Sequence, residues 1–192
     1  MPQEQPTFDE LLEAMKRAAA ILRDAEIPYA LSGGLAAYAR GGPETEHDVD
    51  FFLKPADAER ALEALEAAGY ESERPPEEWL LKAHDRDRGV LIDLIFDPSG
   101  GPVTDEWLAR AEELEVMAMR MSVATLEDVF VTKLLSVVEQ EPDFSASLEM
   151  ARSLREQIDW AEVRERTEAS PFAKAFFTLV EELGIVEAAD LA

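Results

Sequence analysis

The residues that could do chemistry are led by two aspartates one residue apart. Asp48 and Asp50 lie in the run Asp48-Val49-Asp50-Phe51-Phe52-Leu53. In a strand, positions i and i+2 share a face, so the two carboxylates point the same way, about 6.6 Å apart along the chain. Val49 and Phe51 then point the opposite way, toward a core. Two carboxylates on one face repel each other unless cations sit between them. A two-metal site needs that geometry, with ions about 3.5–4 Å apart bridging a triphosphate and the attacking oxygen. The chain has no cysteine and only two histidines, His47 and His84, so oxygen ligands dominate and Mg²⁺ or Mn²⁺ is favoured over zinc. Taken alone, Asp-x-Asp is weak evidence in a chain with 42 acidic residues, where a solvated acidic edge strand is the better explanation.

The segment upstream makes the pair more specific. Ser32-Gly33-Gly34 follows the short apolar run Tyr29-Ala30-Leu31 and opens a helical pattern. Backbone N–H groups at such a turn face whatever lies in front of it, and glycine lets an anion approach closely. The turn is thus a candidate phosphate cradle, although an ordinary glycine turn has the same sequence. Further on, Val90-Leu91-Ile92-Asp93-Leu94-Ile95-Phe96 carries one aspartate inside an apolar strand. Burying a lone carboxylate is costly unless it is paired or binds metal. Asp93 is therefore a better third ligand than Asp97, which precedes Pro98 and reads as a turn residue.

Leu31-Ser32-Gly33-Gly34, thirteen intervening residues, and then Asp48-Val49-Asp50-Phe51 resembles the signature of the DNA polymerase beta superfamily of nucleotidyltransferases. The resemblance implies a mixed α/β (α+β) fold with a helix-flanked β-sheet core. It also implies transfer of a nucleoside monophosphate from a nucleoside triphosphate such as ATP to an acceptor hydroxyl. Asp48, Asp50 and Asp93 would be the catalytic and metal-binding carboxylates, and Ser32, Gly33 and Gly34 would bind the nucleotide. Leu126-Glu127-Asp128, followed by Thr132-Lys133-Leu134-Leu135 and further helices, is similar to the layout of abortive-infection-type nucleotidyltransferases found as bacterial toxins. That likeness adds Lys133 as a nucleotide contact and implies a toxin–antitoxin setting with a partner protein. Ser145, Ala146 and Glu149 depart from its later charged pattern. A binding or antitoxin-like module on a degenerate nucleotidyltransferase fold is the alternative.

The elements that must position these residues follow from periodicity. Phe8 to Asp24 reads as an amphipathic helix, Tyr29 to Leu31 as a strand, Leu35 to Arg40 as a short helix and Asp48 to Leu53 as a strand. A helix from about Ala56 to Ala68 ends at Gly69. Strands are expected at Tyr70 to Glu73, Trp79 to Ala83, Val90 to Phe96 and, as one continuous piece, Glu115 to Met121. The alternating Met117, Met119 and Met121 fit a strand burying one face better than a methionine-rich binding surface. Helices are expected from Thr125 as an N-cap, and over Ser147 to Gln157, Trp160 to Thr167 and Pro171 to Leu183. This gives an α/β core over residues 1–122 and a C-terminal helical module over 123–192.

Composition limits the partners. The net charge of −24 repels polyphosphate backbones and disfavours bulk nucleic-acid binding, while a single nucleotide remains compatible through a metal ion and local cations. The acidic N-terminus lacks a signal-peptide layout and no apolar run approaches the ~20 residues of a membrane span, so a cytoplasmic location without membrane contact is expected. Lys54, Lys82, Arg86 and Arg88 read as solvated strand-end charges, with Lys82 or Arg88 as candidate phosphate contacts. His47 and His84 read as structural. Trp79, Trp107 and Trp160 are core or base-stacking candidates. The acceptor, a small molecule, a protein hydroxyl or a tRNA end, is left open.

Overall fold

The computed structural model describes residues 6–45, 48–139 and 142–191; His47 lies outside them. Helix α1 (Phe8–Asp24) starts at a reciprocal capping box, in which Thr7 Oγ1 accepts from the Glu10 amide and the Glu10 carboxylate accepts from the Thr7 amide. Its leucines, alanines and Met15 on one stripe are fully buried. A strand, β1 (Tyr29–Leu31), then leads into the short helix α2 (Gly33–Tyr38). Strand β2 (Asp48–Leu53) is followed by α3 (Ala58–Ala67), which begins after a 3₁₀ turn at Pro55–Asp57. Strands β3 (Glu71–Glu73), β4 (Leu80–Asp85) and β5 (Val90–Ile95) come next.

Together with β6 (Glu112–Val116) and β7 (Met119–Val123), these strands form a seven-stranded mixed sheet in the order β3-β4-β5-β2-β1-β7-β6. Within it, β2 runs parallel to β5 and antiparallel to β1, while β1 runs parallel to β7. The centre of the sheet is therefore β5-β2-β1. There the apolar face of β2 (Val49, Phe51) is completely buried, with α1 packed against β2 and β5. The architecture is the mixed, helix-flanked sheet that the sequence implied.

Two local features depart from the sequence reading. The single strand expected over Glu115 to Met121 is a hairpin, broken at Met117 and Ala118, whose φ angles are +48° and +62°. A two-residue turn of this hand normally uses Asn or Gly, so Met-Ala gives no signal in the sequence. As a result Met121 is buried while Met117 is exposed. The helix α4 (Asp105–Arg110), capped by Thr104, is too short for its periodicity to register.

Helix α5 (Leu126–Ser136) starts at Thr125, whose hydroxyl accepts from the Asp128 amide. It packs against α2 and against α7 (Trp160–Arg166) and α8 (Pro171–Glu182); α6 (Ser145–Leu154) lies beside it. Asp128 is buried and holds Arg110 of α4 at 2.8 Å and Arg166 of α7 at 2.6 Å. This one carboxylate thus ties α5 to the sheet-side helix before it and to the helical segment after it. Apolar packing from α1 through α8 forms one contiguous core.

Candidate active site

The chemistry-bearing side chains converge because of strand register. β2 and β5 pair in parallel with Asp50 opposite Asp93, and neighbouring partners in a sheet share a face. Asp48, two residues earlier on β2, falls on that face too. Each of the three carboxylates offers an oxygen within 4.8 Å of the others. The sequence had implied this trio, and the fold brings it together.

The turn before α2 closes against these carboxylates. The Ser32 amide donates to the Asp50 carbonyl at 2.8 Å, which fixes the turn beside β2. Gly33 has φ +60°, and a Cβ there would lie 1.8 Å from Asp50 Oδ2. Backbone conformation and side-chain clearance both demand glycine at this position. A Cβ on Gly34 would lie 2.7 Å from the Thr45 side chain, a neighbour the sequence did not reveal. The first-turn amides of α2 have no partner within the helix.

Electrostatics set this cluster apart. Burial pushes the Asp50 carboxyl up to about 8, and the charges of Asp48 and Asp93 push in the same direction, against Lys133 and Lys82. Among the described residues, no hydrogen bond or ion pair reaches the Asp48 or Asp50 side chain. Asp93 is different. Burial raises its pKa, but the hydrogen bond and charge of Lys82 oppose that rise. Lys82 Nζ lies 2.9 Å and 3.2 Å from the two Asp93 oxygens, because β4 pairs with β5 so that Lys82 faces Asp93. Lys82 is therefore an ion-paired member of the site, which corrects its reading as a solvated strand-end charge. The signal available was a lysine set within the apolar run Leu80-Leu81-Lys82-Ala83.

The other cations and aromatics sort clearly. Lys54 pairs with Asp105 at 2.7 Å, Arg88 with Asp85 at 3.0 Å, and Arg86 with Glu71, all away from the carboxylate trio. His84 pairs with Glu73 at 2.6 Å on β3. Trp107 and Trp160 are buried, whereas Trp79 is 42% exposed.

Two clefts meet at the trio. One, of about 540 Å³, is lined by Ser32, Gly33, Asp93, Trp79, Ile95 and Thr132 among others. The other, of about 440 Å³, is lined by Gly34, Glu44, Thr45, Asp143, Glu149 and Met150 among others. Asp48, Asp50 and Lys133 border both. Helix α5 thus delivers Lys133 to the junction. Three converging carboxylates, two of them without an ion-pair partner among the described residues, form an all-oxygen donor set that suits a hard divalent cation.

A central mixed sheet with carboxylates on β2 and β5 and a glycine turn before α2 is the nucleotidyltransferase fold. The chain belongs to a family described as uncharacterised nucleotidyltransferases, whose model matches residues 9–192. It is a transferase enzyme of that class. The solution structure of the antibiotic-resistance factor ANT(2″)-Ia is similar at 14% identity and a TM-score of 0.67, covering 93% of this chain and 99% of that one. The crystal structure of ANT(2″)-Ia with adenylyl-2″-tobramycin aligns with a TM-score of 0.64 at 14% identity, over 86% and 98% of the two chains. The lincomycin-bound lincosamide adenylyltransferase LnuA aligns with a TM-score of 0.54 at 15% identity, over 81% and 100%. At these identities the likeness is one of fold. No match is found among curated proteins. Among the described residues, no helix is long and apolar enough to cross a membrane.

Proposed function

We propose that this nucleotidyltransferase moves a nucleoside monophosphate from a nucleoside triphosphate to an acceptor hydroxyl, with Asp48, Asp50 and Asp93 as its catalytic carboxylates. The observation that carries this reading is the convergence of three carboxylate oxygens within 4.8 Å of one another, beside a turn where only glycine fits. The Ser32-Gly33-Gly34 amides would receive the β and γ phosphates, and Lys133 would add its charge to them. Asp48 and Asp50 would hold a nucleotide-side Mg²⁺ or Mn²⁺, and Asp50 and Asp93 a second. Bound there, such ions would supply charge neutralisation for the triphosphate.

The acceptor oxygen forms a bond to the α-phosphorus as the bond from that phosphorus to the bridging oxygen breaks, and pyrophosphate leaves. Asp93 accepts the hydroxyl proton. Its burial raises proton affinity, and the Lys82 ammonium orients its carboxylate from the side. Residues 1–122 would form the reacting core, while 123–192 would supply Lys133 and hold it in place.

Incubating the protein with each nucleoside triphosphate labelled at the α-phosphate, together with a cell extract and Mg²⁺, tests the reading. Label should move to an acceptor with wild type and not with Asp50→Asn. Equal transfer by both would remove the carboxylate trio from the chemistry. The identity of the labelled acceptor would also separate a toxin-like role on tRNA or protein from a small-molecule role.

A further inference from the structure

Resting on that reading, we infer that the cleft walled by Trp79 takes the acceptor, and that the acceptor is a neutral or cationic hydroxylated small molecule with an apolar face. The two clefts are not equivalent. Ser32 and Gly33 border only the larger one and Gly34 only the smaller, so phosphates held on this turn would lie at the junction of the two clefts. Asp93 borders only the larger one, so the hydroxyl whose proton it takes must arrive there.

The walls of the larger cleft then describe its occupant. Trp79 stands at the cleft with 42% of its surface exposed, although an indole is costly to leave in water. Ile95 is half-buried beside it. A flat apolar ring face is what an exposed indole recognises. The polar side is acidic: Asp97 lines the cleft in addition to the trio. Lys133, shared with the smaller cleft, is the one cation among the described residues lining this cleft, and Lys82 is already committed to Asp93. An acceptor carrying phosphate or carboxylate would meet four carboxylates balanced only by the lysine that the nucleotide phosphates also need. The volume of about 540 Å³ is in the range that encloses a small molecule. A chain with a net charge of −24 also repels a polynucleotide end from the cleft mouth.

The test uses the full chain, Mg²⁺, and the non-transferable α,β-methylene analogues of the four nucleoside triphosphates. Trp79 is the exposed indole, so acrylamide quenching of fluorescence reports its occupancy. Saturating nucleotide, measured by calorimetry, should leave quenching unchanged. Phenyl β-glucoside, phenyl 2-amino-β-glucoside and phenyl β-glucuronide share one ring skeleton and differ in charge. The first two should shield Trp79 in the nucleotide-loaded protein and bind at least about tenfold more tightly than the glucuronide. Trp79→Ala should weaken the glucosides by about tenfold and shift the nucleotide dissociation constant by less than about twofold.

Shielding of Trp79 by nucleotide, or a tenfold loss of nucleotide affinity in Trp79→Ala, would place the base on the indole and overturn the inference. So would equal or tighter binding of the glucuronide, or no shielding by any of the three compounds. Absence of Mg²⁺-dependent nucleotide binding in wild type would instead overturn the transferase reading on which the inference rests.

Discussion

Two carboxylate centres in this molecule, one buried and one half-open to the clefts, are built on opposite terms. Asp128 is 1% exposed and is met by two guanidinium groups, Arg110 at 2.8 Å and Arg166 at 2.6 Å. The trio of Asp48, Asp50 and Asp93 gathers three carboxylates against one paired lysine, and Asp50, its pKa pushed up by burial and by its two acidic neighbours, has no partner among the described residues. A carboxylate satisfied from both sides holds helices together. A cluster left short of cations stores repulsion that an incoming cation relieves. The contrast separates architecture from chemistry within a single core.

Mutation should break the two centres differently. The largest expected effect is on activity: Asp50→Asn should lower nucleotidyl transfer by about a thousandfold or more, read as label transfer from the α-phosphate. Its fold should persist, because in the metal-free protein Asp50 is already held largely protonated by its surroundings. Asp128→Ala should do the reverse in kind, removing about 2–3 kcal/mol of stability by taking away the carboxylate that Arg110 and Arg166 share, although Arg166 keeps Glu162. Thermal unfolding should show a Tm lowered by roughly 10 °C.

Gly33→Ala comes next. Its Cβ would have to displace the Asp50 carboxylate and would hold φ in a strained region, so nucleotide affinity should fall by more than about tenfold in calorimetry.

A pH dependence sharpens the comparison further. With its pKa pushed up to about 8, Asp50 must release a proton when metal binds. Mg²⁺ affinity should rise with pH and level off above about 8, a trend calorimetry in buffers of different ionisation enthalpy can follow. The stability sign follows from the same shift. The folded protein holds this proton more tightly than the unfolded chain, so metal-free stability falls as pH rises from about 4 toward 8. Asp50→Asn should flatten that slope. The smallest expected change is in Lys82→Met, which removes a cation competing for Asp93 and should tighten Mg²⁺ binding by up to about tenfold.

Much of this was legible in the sequence, for identifiable reasons. β2 and β5 announce themselves as apolar runs interrupted by aspartate, and an apolar strand that accepts a carboxylate has a reason to do so. Gly33 was legible because its type alone signals a special backbone, although the clash with Asp50 that requires it is tertiary. Lys82 was misread because its partner comes from strand pairing, eleven residues away, and no local pattern reports register. The Met117–Ala118 turn was hidden because its residues are atypical for its conformation. The two clefts depend on how α5 and α6 sit against the sheet, which periodicity does not encode. The inward placement of Lys133 was implied only by family resemblance, whereas the ion triad at Asp128 that anchors its helix was not anticipated.

The central claim is that the carboxylate trio binds a divalent cation for nucleotidyl transfer. The most direct test is an electron paramagnetic resonance titration with Mn²⁺ in the presence of a non-transferable nucleoside triphosphate analogue, comparing wild type with Asp50→Asn. The account predicts tight, nucleotide-dependent Mn²⁺ binding by wild type and its loss in the variant, with unchanged circular dichroism. Equal Mn²⁺ binding by the two folded proteins would contradict it.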